Sequence, residues 1–247
     1  VSALPSRKAE DWRYSDIAAA ARAWPVAVER IEVAAGGNER RMLVEDAAPG
    51  SATIRQFEII VGAGAELSMV IITSGGAYGR VALDVTLHAG ARFELGGVIV
   101  AGGEQVQEIV TTVRHAGPGA TSRQVIRAVA GGTATATYLG KVAVAREGQQ
   151  TDAGQSFKAL LLSRGATANA KPELEIFADD VKCAHGATVG ELDANALFYL
   201  QSRGLPPATA RALLMRAFLS DALAEIADDD EREAAEDRVT AMLESVL

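Results

Sequence analysis

Short apolar runs recur through the middle of this chain and give way to longer, helix-like patterns near its end. Ile59–Val61, Leu67–Ile72, Val81–Leu87, Phe93–Val100, Val125–Val129, Val142–Val144 and Ala159–Leu162 are bounded by glycine and polar residues. Runs this short, so bounded, predict strands. In Ala91–Leu95 the pattern alternates, with Ala91, Phe93 and Leu95 on one face and Arg92 and Glu94 on the other. Gly-Ala pairs precede several runs, at Gly64-Ala65, Gly90-Ala91, Gly119-Ala120 and Gly165-Ala166, and the first three are spaced by 26 and 29 residues. A loose repeat of that length suits coils that stack one on the next. A β-sandwich would give similar runs, and periodicity does not separate the two.

The two ends differ from the middle. Residues 1–25 are polar and helix-compatible, carry Trp12 and Tyr14 as candidate packing anchors, and end at Pro25. From residue 193 onward the signals are helical. Asp193 is a candidate N-cap for Ala194–Arg203, and Gly204 supplies the stop. Pro206-Pro207 predicts a restart running through Ile226, with Leu214, Phe218, Ala222 and Ile226 on one face. Asp228 and Glu231 match a capping box for a last helix striped by Ala235, Val239, Met242 and Val246. These stripes must dock on the strands, on a partner, or on both, because three short helices have little core of their own. Leu214, Phe218, Ile226, Val239 and Met242 are the residues expected to meet a partner. The expected units are therefore an N-terminal segment (1–25), a strand core (26–192) and a helical end (193–247).

Composition supports many strands and tight turns. The chain of 247 residues is 49% hydrophobic, with 12 aromatics and 24 glycines. Charge adds a location. Net charge is −8, and residues 221–247, with ten acids and two bases, account for all of it. The remainder is balanced and has no basic patch, so nucleic-acid binding lacks its electrostatic footprint. One cysteine, Cys183, excludes an internal disulfide and points to a reducing, cytoplasmic setting. No run reaches the roughly 18 apolar residues of a membrane span, and the charged first twenty residues do not read as a signal peptide. Because the sequence begins at Val1, its N-terminus is expected to be trimmed or naturally short.

Most catalytic patterns fail. Around Gly140-Lys141 the phosphate-binding loop is broken at Thr135 and at Val142, so no ATP hydrolysis is expected of this chain. No nucleophile elbow, CxxC or HExxH pattern occurs. His88 lies at a strand end and His115 just before Gly117-Pro118-Gly119, both consistent with surface or turn-stabilising roles. His185 stands two residues from Cys183, and in an extended segment such residues project to one side. Thiolate and imidazole suit iron or zinc. Two donors do not complete a site, so such a site would be transient or finished by a partner. A buried thiol beside a capping histidine is the plainer reading of the same spacing.

Around this pair the sequence resembles a known family. Pro172–Gly204 (PELEIFADDVKCAHGATVGELDANALFYLQSRG) is similar to the C-terminal signature of SufD, of the SufB/SufD family in the Suf iron–sulfur cluster assembly system. Thr151–Ser163, Val113–Arg123 and Glu10–Ile17 (EDWRYSDI) resemble the same family, whereas 26–110 match in texture only. Gly186-Ala187 after the histidine resembles SufD, where SufB-like chains carry Glu-Ala.

The resemblance implies a mainly β fold: a right-handed parallel β-helix core with a short N-terminal helix and a C-terminal α-helical domain. It implies a subunit that is not itself an enzyme. Such a subunit pairs with SufB through the β-helix, recruits the ATPase SufC through its C-terminal helices, and contributes His185, with Cys183 beside it, to a transient Fe–S cluster at the SufB interface. No cofactor is expected to stay on the isolated chain, and an exposed β-helix edge that normally meets SufB could pair with its own copy as a homodimer when the partner is missing. Typical members have a longer N-terminal helical region than this chain. The competing expectations are a self-contained metal-binding β-helix protein and a β-helix carbohydrate-active enzyme, the latter requiring clustered acids or bases on one sheet face.

Overall fold

A computed structural model describes residues 3–224, 226, 228–244 and 246. Twelve strands occupy its middle: β1 Val28–Val33, β2 Asn38–Ala47, β3 Ala52–Val61, β4 Glu66–Gly75, β5 Tyr78–Leu87, β6 Arg92–Ala101, β7 Val106–His115, β8 Thr121–Ala130, β9 Thr135–Val144, β10 Thr151–Leu161, β11 Thr167–Ile176 and β12 Val181–Gly190. The odd strands form one six-stranded sheet in the order β1-β3-β5-β7-β9-β11, and the even strands form the other, β12-β10-β8-β6-β4-β2. Every pairing is parallel. One odd and one even strand make a coil, and six coils stack into a parallel β-solenoid, the architecture that the loose repeat and the family resemblance imply.

The repeat seen in the sequence is the coil itself. Glu66 pairs with Arg92, and Arg92 with Thr121, so the steps of 26 and 29 residues between the first three Gly-Ala pairs reappear as register. Gly64, Gly90 and Gly119 turn the same corner with φ of 63°, 66° and 68°, a region costly for residues with a β-carbon. The alanine after each is fully buried. Gly165-Ala166 opens β11 on the other sheet and so belongs to a different corner.

Inward residues of both sheets fill one continuous core, including Ile59, Leu67, Ile71, Leu87, Phe93, Leu95, Ile109 and Ile126. Full burial of such side chains contributes about 1.5–3 kcal/mol each. The outer face of the odd sheet is partly covered by the N-terminal segment. That segment is not a continuous helix: it has two 3-10 turns, Glu10–Trp12 and Ala21–Ala23, around a four-residue helix α1, Ile17–Ala20. Its polar groups are used in fastening it to the sheet. Ser15 donates to Glu108 (2.8 Å), Asp16 caps α1 through the Ala19 amide, and Arg80 pairs with Glu108 (2.7 Å). Trp12, the anchor expected from the sequence, is buried edge-on to Trp24 with the Arg80 guanidinium 4.0 Å from its ring. Tyr14 is exposed instead.

The outer face of the even sheet is covered by α3 (Pro207–Ser220) and α4 (Asp229–Glu244), preceded by the small helix α2 (Ala194–Ser202). The caps are those read from the sequence. Asp193 accepts from the Asn195 amide, Asp228 accepts from the Glu231 amide, and Gly204 ends α2 in a Schellman arrangement, with its own amide on Gln201 and the Leu205 amide on Leu200. Helix α3 stops at Ser220 rather than running through Ile226, and Glu225 lies outside the described residues. Tight turns follow, with the Ala222 amide on Leu219 and the Leu223 amide on Ser220. They lower Ala222 and Leu223 onto the sheet while Asp221 pairs with the buried Arg127 (3.3 Å).

Close approach at this turn depends on one glycine. A β-carbon on Gly96, in the middle of β6, would overlap the Ala222 carbonyl, whereas one on Gly154 in β10 would meet nothing. Gly96→Val is therefore expected to cost about 1–3 kcal/mol by overpacking, and Gly154→Ala to be neutral or slightly stabilising. Urea unfolding midpoints of the two variants test this. Equal midpoints would show that the turn can lift away at no cost.

Candidate functional site

The last coil leaves both of its strands at a sheet edge, and the two edges differ in chemistry. Strand β11 carries Lys171, Glu173 and Glu175 and has Pro172, which lacks an amide donor. Charge and proline are common guards of an edge strand. Strand β12 carries one charged side chain, Lys182, among small residues and glycines, and is exposed along most of its length. At the opposite end of the solenoid β1 and β2 are heavily charged, with Arg30–Glu58 and Arg55–Glu29 pairs fastening β1 to β3. Of the terminal strands, β12 is the least protected.

Cys183 and His185 both lie on β12, on one face of it. Register places Cys183 beside Ala153 and His185 beside Gln155 of β10. Cys183 is half-buried against Val142, Val144, Ala153 and Ala178, and His185 is exposed at the rim. The structure thus brings the two sequence-derived candidates to one side of one edge strand. Burial pushes the Cys183 thiol up and the Asp152 charge adds to this, against a backbone hydrogen bond at Ala153. The thiolate, the form that binds metal, is disfavoured there until something compensates it. Among the described residues no group of three or more His, Cys, Asp or Glu is placed to hold a metal ion. Two side chains alone do not make up the four donors of a tetrahedral site.

Beneath this rim the solenoid interior is polar, which the sequence reading missed. Gln124 of β8 and Gln155 of β10 are paired in register and buried. The Gln124 carbonyl oxygen accepts from Thr111 (2.7 Å) and Tyr138 (3.2 Å), and Tyr138 stacks on Phe157 at 5.6 Å. The Gln124 Nε2 and both amide atoms of Gln155 have no partner. Glutamine in an alternating strand reads as solvent-facing. The available signal was parity, since Gln155 sits two residues from Ala153 and from Phe157 on the core face. A cleft of about 550 Å³ adjoins His185, lined among others by Gln155, Ser156, Arg127, Asp221 and Ala224.

The remaining candidates fall elsewhere. Ile226, Val239 and Met242, expected to face a partner, are buried within the chain against Val70, Val98 and Val125, because the even sheet offers an apolar outer face that must be covered. Leu214 and Phe218 are half-buried. The exposed apolar residues of the helical end are instead Phe198 and Tyr199 on α2, 74% and 57% exposed, and Leu213 on α3. His88 is exposed at the end of β5. His115 is fully buried at a corner, where its ring meets Ser122 Oγ (2.9 Å) and Thr151 Oγ1 (3.4 Å).

Fold and site together define a parallel β-solenoid with Cys183 and His185 on one face of its sparsely charged terminal strand. The match to known families agrees, since residues 12–218 fit the SUF system FeS cluster assembly SufBD core domain. The chain belongs to that family. It is 32% identical over 222 residues, 89% of its length, to the chloroplastic protein ABCI7 of Arabidopsis thaliana. It is 36% identical over 159 residues (64% of the chain) to an iron–sulfur cluster assembly SufBD family protein of Synechocystis, and 34% identical over 125 residues (51%) to the iron–sulfur cluster assembly protein SufD of Escherichia coli. The chain spans about half or less of these relatives, 47%, 35% and 30% of their lengths. No helix among the described residues is long and apolar enough to cross a membrane.

The buried His115 makes stability depend on pH. Desolvation lowers its pKa from 6.5 to about 4. The unfolded imidazole takes up a proton as pH falls through about 6.5, but the folded one does so only near 4. The unfolded state binds more protons across that window, so stability present at neutral pH is lost as pH falls through it. From this group, about 2 kcal/mol should disappear between pH 7 and pH 4.5. His115→Gln should flatten that part of the profile, measured by chemical denaturation at both pH values. An unchanged slope would refute the assignment.

Proposed function

We propose that this chain acts as a non-catalytic subunit in iron–sulfur cluster assembly, pairing with SufB along β12 and offering His185, with Cys183 beside it, to a cluster held transiently between the two. The observation that carries this reading is the coincidence of Cys183 and His185 with the terminal strand that has no proline and a single charge, Lys182. An added strand would satisfy the free backbone groups of β12 and bring further ligands to the same place. Both His185 and Cys183 can donate to iron, but the thiol must first lose a proton that its burial retains. His185, exposed at the rim, is the principal donor, and the cluster is cargo rather than a resident cofactor. In the absence of SufB the same edge can pair with its own copy, giving a homodimer. The working compartment is the cytoplasm, in keeping with a single unpaired cysteine.

The C-terminal helices recruit the ATPase SufC in this reading. Phe198 and Tyr199 are the exposed aromatic anchors, a residue class enriched at binding hot spots. Leu214 and Phe218 form a half-buried rim, while Ile226, Val239 and Met242 act from beneath by holding α3 and α4 against the sheet. Deleting the helices would strip the cover from Val70, Val98 and Val125, so point substitutions are the cleaner test.

Two outcomes are expected with purified SufB and SufC. His185→Ala should lower the iron and sulfide bound per complex several-fold while leaving complex formation intact. Unchanged loading would end its role as a ligand. Phe198→Ser with Tyr199→Ser should weaken SufC capture at least about ten-fold, the scale of one lost hot spot, with an unchanged far-UV spectrum. Undiminished capture would move the SufC surface elsewhere.

A further inference from the structure

We infer that Gln155 is the positioning residue for His185, its carboxamide oxygen taking the inward ring N–H so that the other ring nitrogen presents its lone pair outward. Four observations meet here. His185 and Gln155 are register partners on adjacent parallel strands, which lie about 4.8 Å apart. Both fall on the face that Ala153, Phe157 and Cys183 direct into the solenoid. Gln155 is 4% exposed, and neither its oxygen nor its nitrogen has a partner. An unpaired buried amide costs about 1–3 kcal/mol, a cost that an unrelated apolar residue would avoid.

The chemistry fits the need. An imidazole that binds metal through one nitrogen is normally fixed by a hydrogen bond from the other, which sets the tautomer and the ring plane. On β12 His185 is exposed at the rim, and its register partner on the same face is the buried Gln155. Gln124, one rung deeper, cannot serve, because its oxygen is already taken by Thr111 and Tyr138. Gln155 alone in this ladder has an uncommitted acceptor. The inference rests on the reading of His185 as a donor and adds the residue that aims it.

Ring-nitrogen NMR of the full chain, labelled with 15N-histidine and measured at about pH 8, tests the contact without any cluster. Three ring systems are present, and His185→Asn identifies the one of interest. A fixed tautomer gives two widely separated nitrogen shifts, and exchange between tautomers draws them together. Wild type should show wide separation, Gln155→Met should reduce it at least two-fold, and Gln155→Glu, which keeps an acceptor, should restore it. Met keeps the length of the side chain and needs no hydrogen-bond partner when buried, so Gln155→Met should stay folded by far-UV spectrum, and a purely packing role would leave the tautomer unmoved. An averaged ring in wild type, or an unchanged ring in Gln155→Met, overturns the inference. Cluster loading of His185→Ala reports separately on the donor reading, so the two failures are distinguishable.

Discussion

Each coil of this protein hydrogen-bonds only to the coil before it and the coil after it. That constraint governs the rest of the molecule. In-register parallel stacking gives a continuous core from short strands, places like positions in ladders, and needs a glycine at the same corner of successive coils. It also means that the stack cannot close. A barrel removes its edges by joining them, whereas a solenoid keeps one at each end and must dispose of both. Here β1 and β2 are covered in ion pairs and β11 carries proline and several charges, while β12 carries Lys182 alone. Cys183, His185 and an exposed backbone edge coincide on the same strand.

The central coils were legible in the sequence because their strands are covered on both faces and so read as apolar runs. The end strands were not. Asn38–Ala47 and Thr167–Ile176 have half their positions facing solvent and a core at one side only, and they resemble loops. Helix caps at Asp193 and Asp228 were readable because capping is local chemistry. The end of α3 at Ser220 was not, since it is set by the sheet beneath Ala222 and by Arg127, ninety residues away. At the site, the spacing of Cys183 and His185 gave their common direction. Gln155 stayed hidden, because glutamine has no intrinsic preference that announces an inward position.

The two outer faces are covered by different means. The C-terminal helices use aliphatic contact, burying their stripes against valines of the even sheet. They turn most of the acidic surplus of the chain outward, as with the exposed Asp229, Asp230, Glu231 and Glu233. The N-terminal segment uses charge and aromatic contact, with a fully buried Arg80–Glu108 pair beneath Trp12. A buried pair of this kind contributes little net stability over an apolar replacement, yet breaking it by removing one partner is costly. Its geometry fixes where the segment sits rather than how strongly the sheet holds together.

That segment also reaches further than its neighbours in the stack. Ser15 and Trp12 engage the third and fourth coils through Arg80 and Glu108, while Glu10 pairs with Lys171 on the sixth (2.5 Å). An array with nearest-neighbour contacts alone can fray from either end, one repeat at a time. A strap running lengthwise couples repeats that never touch, so loosening the last coil is felt in the middle of the rod. The EDWRY stretch thus works as a tie-bar, giving a one-dimensional stack some of the cooperativity of a closed globule.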